Sequence, residues 1–361
     1  MIKALKHISL ILFILLLLIL SVLAVLTIFE YRPAEEETVT VISGTMETSI
    51  PANADLRVLT WNIGYGALGD NADFFMDGGT SVYTADKARV QQNLQSILQT
   101  IETLNPDFCL LQEVDVDSDR SRHIDEVAFF CTNFPDYYSA FANNYRVLYV
   151  PFPIPPIGHV DSGILTLSRC TTNQEATRIT LPCPFSWPIR LAQLKRCLQI
   201  TRHPVSNGKE LVLVNLHLEA YDSGAGKTAQ TRTLVSFLRS EIEKGNYVIA
   251  GGDFNQYFSE EDAETYAVRK GLWKPGILER DLFGDGLILL SDGAVPSCRS
   301  LDQPYAGADP KGFQYYAIDG FIVSDNVEIL SIQTQNVGFE ATDHNPVLLI
   351  FRLGMESISE E

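Results

Sequence analysis

The chain has 361 residues, 46% of them hydrophobic and 20% charged, which is enough apolar content to core a globular domain of about 300 residues and excludes a disordered protein. Against 45 Asp and Glu stand only 27 Lys and Arg, and the net charge of −18 works against gripping a phosphate backbone, which relies on clustered cations. The cysteines, Cys109, Cys131, Cys170, Cys183, Cys197 and Cys298, form no CxxC pair, so a zinc site is not expected; they read as buried thiols, or as disulfide partners that spacing does not assign.

Residues 8–29, "ISLILFILLLLILSVLAVLTIF", carry no charge and at about 1.5 Å per residue reach across a hydrocarbon core of about 30 Å. Lys3 and Lys6 precede this segment and "EYRPAEEE" follows it. The positive-inside bias therefore puts residues 1–7 in the cytoplasm and the rest outside, as a single-pass protein of the plasma membrane. The rival is a cleaved signal peptide. Its apolar region is usually about 7–15 residues long and ends in a small-x-small site, neither of which is evident, so an uncleaved anchor is expected. Residues 30–54 hold Pro33, a Glu run and no periodicity, and read as a juxtamembrane linker. The folded domain is expected over 55–354, with an acidic tail over 355–361.

The domain opens with "LRVLTWNIG", a short buried strand ending at Gly64 and Gly66. Residues 86–104 place Val90, Leu94, Ile97, Leu98, Ile101 and Leu104 at helical spacing, and "PDFCLLQEV" behind them reads as a core strand. The pattern recurs as strand (210–218), helix (228–245) and strand (247–255), and further strands are expected at "SGILTLSR", "RCLQITRH", "YAIDGFIV" and "PVLLIFRL". So few helices cannot serve a doubly wound sheet, in which every parallel strand needs a crossover. Two packed mixed sheets with helices outside fit better.

Polar, metal-capable residues recur where the apolar strands end. Asn62 follows "VLTW", Glu113 follows "FCLLQ", and Asn215 and His217 interrupt "LVLVNLHL". Asp253 and Asn255 follow "YVIAGG", Asp319 sits in "YYAIDGFIV", and Asp343 and His344 precede "NPVLLIF". Each alone reads as a turn former or a satisfied core histidine. Their convergence on strand ends points to a site, because loops at sheet ends are where rigid scaffolds display chemistry. Hard carboxylate and amide oxygens suit Mg²⁺ and metal-assisted phosphoester hydrolysis, for which Glu113 and Asn62 suffice as protein ligands. Asp253 is placed to orient and deprotonate the attacking water, and a histidinium to neutralise charge on the phosphoryl oxygens.

Taken in order, "TWNIG", "LLQEVD", "VNLHLEAYD", "GGDFN", "IDGFIVS" and "TDHNPV" resemble the endonuclease/exonuclease/phosphatase superfamily, the DNase I-like metal-dependent phosphoesterases, over about residues 56–353. The resemblance implies an α/β fold, a four-layered α/β sandwich of two packed mixed β-sheets flanked by helices, here preceded by one N-terminal transmembrane helix. It implies a metal-activated water attacking phosphorus, with Mg²⁺, or Mn²⁺ in its place, as cofactor. Glu113 then looks like the main metal ligand with Asn62 beside it, and Asp343 like a further metal-side carboxylate. Asp253 looks like the residue that aligns or deprotonates the water, Asn255 holds that water or the phosphate, and Asp319 orients and charges His344. His217 makes a second phosphate contact or helps the leaving group. Adjacent residues of an extended segment point to opposite sides, so Asp343 and His344 are not expected to pair with each other.

"YDSGAGKTAQ" imitates a phosphate loop, but the spacing fails because Tyr221 stands where GxxxxGK[ST] requires Gly. Lys227 and Arg232 there read as a solvated helix start or as substrate contacts. "YVPFPIPPIGHVDSG" (149–163) interleaves Tyr149, Phe152, Ile154 and Ile157 with prolines, and "PFSWPIR" (184–190) offers Trp187 in a similar setting. Both read either as apolar plugs or as a lipid-facing or substrate-facing rim. The segment after Glu113, "DVDSDRSRHIDE", has only Arg120 and Arg122 as fixed cations, which leans away from DNA. The expected function is a membrane-anchored, outward-facing phosphodiester hydrolase acting on phospholipid or sphingomyelin-type head groups, with an exported nuclease of the same superfamily as alternative. A non-catalytic binding module would have lost one of Glu113, Asp253 or His344, and all three are present.

Overall fold

The computed structural model describes residues 2–45, 50, 54–222 and 224–354; the acidic tail expected over 355–361 lies outside the described residues. Helix α1 (Ile2–Ile28) comes first, and Lys3–Ile28 is long and apolar enough to cross a membrane, as a signal sequence near an N-terminus also is. The strands then follow as β1 (Glu36–Ile42), β2 (Leu56–Asn62), β3 (Phe108–Asp115), β4 (Tyr138–Val150), β5 (Gly158–Ser168), β6 (Glu175–Thr180), β7 (Cys197–Pro204), β8 (Glu210–His217) and β9 (Tyr247–Asp253). After these come β10 (Gln256–Tyr257), β11 (Gly276–Ile277), β12 (Leu287–Leu290), β13 (Cys298–Arg299), β14 (Tyr315–Tyr316), β15 (Asp319–Ser324), β16 (Val327–Thr334) and β17 (Val347–Leu353). Helices α2 (Lys87–Leu104), α3 (Glu126–Asn133) and α4 (Ala225–Glu243) are the longer ones inside the domain.

One sheet runs β1-β4-β5-β3-β2-β17-β16 and the other β12-β15-β9-β8-β7-β6-β1. They share β1. Residues 36–40 of β1 pair with β6, while Val41 and Ile42 pair with β4, so this strand joins the two sheets at one side. The expected linker therefore contains a strand. Its Thr-Val alternation is the period-2 signal, but only Val41 of the strand is buried, so the pattern carries little apolar weight among its Glu neighbours.

Val58, Phe108 and Leu110 from one sheet meet Leu213, Ile249 and Phe321 from the other in the central core. On the outer face of the first sheet, α2 buries Val90, Leu94 and Ile97 against Leu59, Trp61 and Leu111. On the outer face of the second, α4 buries Leu234 and Leu238 against Val212, Val214 and Val248. The layers are helix, sheet, sheet, helix, the four-layered sandwich expected from the sequence. Each of these buried aliphatic side chains is worth about 1.5–3 kcal/mol of transfer energy, so truncating one such as Leu213 to Ala costs about 2–5 kcal/mol.

Local chemistry sets the boundaries. Asp86 caps α2 by accepting from Arg89 N at 2.8 Å, and Asn105 ends it with φ 46°, a left-handed conformation that Asn tolerates. α4 starts at Ala225, and the amides of Gly224 and Gly226 donate to the Asp222 carboxylate at 3.0 and 2.5 Å. The chain's own acid thus fills the place a bound phosphate would take in a phosphate loop. Lys227 is buried, with its ammonium 5.4 Å from the Trp273 ring centroid, so it is not a solvated helix residue.

Candidate active site

Two parallel pairs, β2 with β3 and β8 with β9, end at the same end of the sandwich and deliver Asn62, Glu113, His217 and Asp253. β15 runs antiparallel to β9, with Asp319 directly opposite Asp253, so its first residue arrives at that end too. β17 runs antiparallel to β2, which brings the preceding Asp343 and His344 alongside. Glycine makes the close approach possible: a Cβ at Gly252 would lie 1.9 Å from Leu216 O, so "GGD" fits flush against β8 where a side chain would not.

Asn62 Nδ2 donates to Glu113 Oε1 and to Asp253 Oδ2, both at 3.1 Å, and its Oδ1 accepts from Gly64 N at 3.0 Å. It thereby ties the Glu113 carboxylate to that of Asp253. Glu113 sits at an irregularity in the β3–β5 pairing with φ 54°, a left-handed conformation costing about 1–2 kcal/mol that turns its side chain out of the strand's alternation into the cleft. Asn255, with φ 51°, leaves β9 in the same way; its N donates to Asp253 Oδ1 at 2.9 Å and its Nδ2 to Leu218 O at 2.9 Å.

His344 Nδ1 lies 2.8 Å from Asp319 Oδ2, and the same Oδ2 accepts from Ser297 Oγ at 2.7 Å. Nε2 of His344 lies 3.9 Å from Asp253 Oδ2, and Nε2 of His217 lies 3.5 Å from the same oxygen. Asp343 is buried beside them, with Oδ1 3.3 Å from Thr342 Oγ1. All eight expected site residues thus gather at one end of the fold and line or border one cleft of about 430 Å³. Asn215 does not. It is buried between the sheets, accepting from Gln112 Nε2 at 2.8 Å and donating to Leu111 O and Leu165 O at 3.2 and 3.1 Å.

The sequence profile of the Endonuclease/Exonuclease/phosphatase family matches residues 59–344, most of the chain and all eight of those residues. The chain belongs to that family. Endonuclease/exonuclease/phosphatase proteins are metal-dependent phosphoesterases of the nuclease and phosphatase class, and the chain is an enzyme of that class. Similar solved folds include the endonuclease/exonuclease/phosphatase from Beutenbergia cavernae DSM 12333, at 20% identity and TM-score 0.58 over 83% of this chain and 72% of that one. D. rerio TDP2 complexed with single strand DNA product is similar at 15% identity and TM-score 0.53, over 83% of this chain and 99% of that one. The endonuclease/exonuclease/phosphatase from Bacteroides vulgatus gives 16% and 0.51, over 84% and 100%. At these identities the likeness establishes the fold alone. No curated protein is significantly similar in sequence.

In this endonuclease/exonuclease/phosphatase site burial sets the electrostatics. Burial and the Asp319 carboxylate raise Asp253 to about 7, and burial raises Asp343. Burial alone would lower His344, yet Asp319 outweighs it and holds the imidazole well above its usual value. Burial, with Arg196 and His344 nearby, keeps His217 well below its usual value. One histidine is thus biased to the cation and the other to the neutral ring.

The donors suit a hard divalent cation. Glu113, Asp253, Asp319 and Asp343 crowd together, and Asp319 Oδ1 is buried without a partner. The ligand atoms of Asp253, Asp319 and His344, and those of Cys298, Asp343 and His344, each lie within 4.8 Å of one another. Carboxylate oxygens dominate, with Cys298 the one soft atom. Asn62, expected as a ligand beside Glu113, presents its nitrogen to the carboxylates while its oxygen accepts from Gly64 N.

Several cleft residues carry no sequence signal. Arg120 pairs in two-pronged fashion with buried Asp115, at 3.1 and 2.8 Å, lies 3.8 Å over the Tyr65 ring and reaches within 3.9 Å of Glu113 Oε2. Arg196 is buried against Glu219 at 3.3 Å and donates to His217 O at 3.0 Å. Tyr221 OH donates to Asp77 Oδ1 at 3.0 Å, and burial together with the Asp343 charge raises Asp77 to about 7. Arg120 stands in a mixed charged run, and the others are single residues in irregular or ordinary strand contexts; no spacing rule singles them out. The proline-rich segment resolves toward a rim, since Val150, Pro151, Phe152 and Ile157 line the cleft while Ile154 stands 92% exposed.

Proposed function

We propose that the protein is a membrane-anchored, outward-facing Mg²⁺-dependent phosphodiesterase that acts on phospholipid or sphingomyelin-type head groups. The observation that carries this reading is the cleft itself. Its floor is the cluster of Asp253, His344 and Glu113, and its walls are apolar, formed by Phe74, Phe75, Val150, Phe152, Ile157 and Leu194. Its arginines are committed elsewhere: Arg120 to Asp115, Arg196 to Glu219, and Arg299 to the carbonyls of Ser300 and Gly69. A phosphate with an aliphatic neighbour suits such a cleft better than a polyanionic strand does.

Glu113 and Asp343 would hold Mg²⁺, with Asn62 Nδ2 orienting the Glu113 carboxylate, and Mn²⁺ suits the same oxygens. That cation would supply positive charge to the phosphoryl oxygens. Asp253, raised to about 7, accepts the proton of the attacking water, and Asn255 holds that water or the phosphate in line. His344, kept charged by Asp319, donates to a phosphoryl oxygen as negative charge builds there. His217, biased to the neutral ring, contacts the phosphate or assists departure of the leaving group.

The alternative is an exported nuclease of the same family. Hydrolysis of sphingomyelin, a phosphoinositide, a chromogenic phosphodiester and DNA, each with Mg²⁺ and with EDTA, separates the two. Lipid head-group release in Mg²⁺ with little DNA cleavage supports the proposal; DNA cleavage alone sinks it.

A further inference from the structure

The strand found where a linker was expected shortens the tether. Between Ile28 at the end of α1 and Glu36 at the start of β1 lie seven residues, 29–35, which span at most about 25 Å when fully extended. They are also held against the domain. Glu30 is held by Arg190 at 3.1 Å, Lys195 at 3.3 Å and Arg32 at 3.0 Å, and the Trp187 indole donates to Thr27 Oγ1 in the last turn of α1 at 3.1 Å. The domain is docked onto its helix.

The docking also sets a depth. Ser21, Val22, Val25 and Leu26 form a shared hollow with Leu148 and Tyr149 at the end of β4. Val22 lies six residues before Ile28, roughly 9 Å down the helix axis. With α1 spanning a bilayer, the end of β4, from which the β4–β5 turn leads off, therefore stands below the level at which the helix emerges, where apolar groups of interfacial proteins sit. Its side chains match that depth: Leu148 is 47% exposed, Phe152 70% and Ile154 92%. The neighbouring 184–189 loop adds Trp187 and Ile189, also exposed, and an indole near the end of a span is at home in the aromatic belt. Phe152 belongs to both surfaces, since it also lines the catalytic cleft.

We propose that the β4–β5 turn and the 184–189 loop insert into the leaflet around α1, so that the cleft opens on the bilayer. Resting on the anchored reading above, this makes the substrate an amphiphilic phosphodiester drawn from the same membrane that holds the enzyme. Its hydrocarbon part enters past Phe152 while its phosphate reaches Asp253 and His344. A water-soluble phosphodiester needs no such route.

The test uses the full chain in proteoliposomes. With phosphatidylcholine brominated on its acyl chains, tryptophan emission is quenched, and Trp187→Phe removes most of the quenched component while leaving the emission of buried Trp61 and half-buried Trp273. Ile154→Asp and Ile189→Asp, both away from the catalytic cluster, lower hydrolysis of a vesicle-embedded phosphodiester about tenfold or more and leave a soluble chromogenic phosphodiester unaffected. Absence of quenching at Trp187 overturns the insertion. Equal loss on both substrates, or loss on neither, overturns the route through the rim. Quenching with no hydrolysis of any lipid by the wild type leaves the insertion standing and overturns the lipid-substrate reading instead.

Discussion

Asp319 Oδ2 lies 2.8 Å from His344 Nδ1, and this contact across two elements, rather than the adjacency of Asp343 and His344 in the chain, sets the charge of the imidazole. Ser297 Oγ donates to the same oxygen at 2.7 Å and fixes the carboxylate. The acid therefore positions and charges a histidine that itself faces the cleft.

Asp319→Asn keeps the shape and removes the charge. kcat is expected to fall by about 10²–10⁴, the usual worth of a positioned proton-active group, while the Mg²⁺ concentration for half-maximal activity moves by less than about threefold. A comparable shift in both would place Asp319 on the metal instead.

Glu113→Gln tests the other side of Asn62. Even changes next to metal ligands cost about 10–100-fold in metal affinity, so the half-saturating Mg²⁺ concentration should rise by at least about tenfold. The left-handed backbone at Glu113 belongs to the bulged strand, so stability to urea should change little. Metal titration of the variant decides it.

A third prediction concerns pH and lies away from the site. Burial lowers His203 to about 4; its ring packs edge-on to Phe108 at 5.1 Å between centroids. The unfolded chain binds this proton more readily, so the stabilisation is complete above the ordinary value of about 6.5 and is lost as pH falls towards 4, about 3 kcal/mol in all. Wild-type Tm should therefore fall more steeply from pH 7 to 5 than that of His203→Gln. Parallel curves would contradict this.

Much of this was legible in the sequence because strand ends carry polar residues against an apolar background: Asn62, Glu113, Asp253, Asp319 and His344 each break an apolar run. Asp343 and His344 form no ion pair with each other, as alternation along the chain predicts, yet they are not held apart, since their ligand atoms lie within 4.8 Å. Arg120 and Arg196 were not legible as cleft residues, since their roles come from stacking on Tyr65 and pairing with Glu219, contacts between distant parts of the chain. Strand β1 was obscured for a different reason. It has the alternation of a strand but gains its stability from backbone pairing to two sheets, which no side-chain pattern reports.

The anchor is open to a direct check. Membranes carrying the full-length protein should retain it through high-salt and alkaline washes, as a spanning helix of this length predicts. Quantitative recovery in the medium, lacking residues 1–29, would show instead that the segment is a cleaved signal.

The central claim is that the cluster at the strand ends hydrolyses phosphodiesters with a divalent cation. Its most direct test is turnover of a chromogenic phosphodiester by wild type, Asp253→Ala and His344→Ala, each with Mg²⁺ and with EDTA. Wild type should be active with Mg²⁺ and inactive with EDTA, and each variant should lose at least about 10²-fold. Variants that turn over like wild type, or activity indifferent to EDTA, would contradict it.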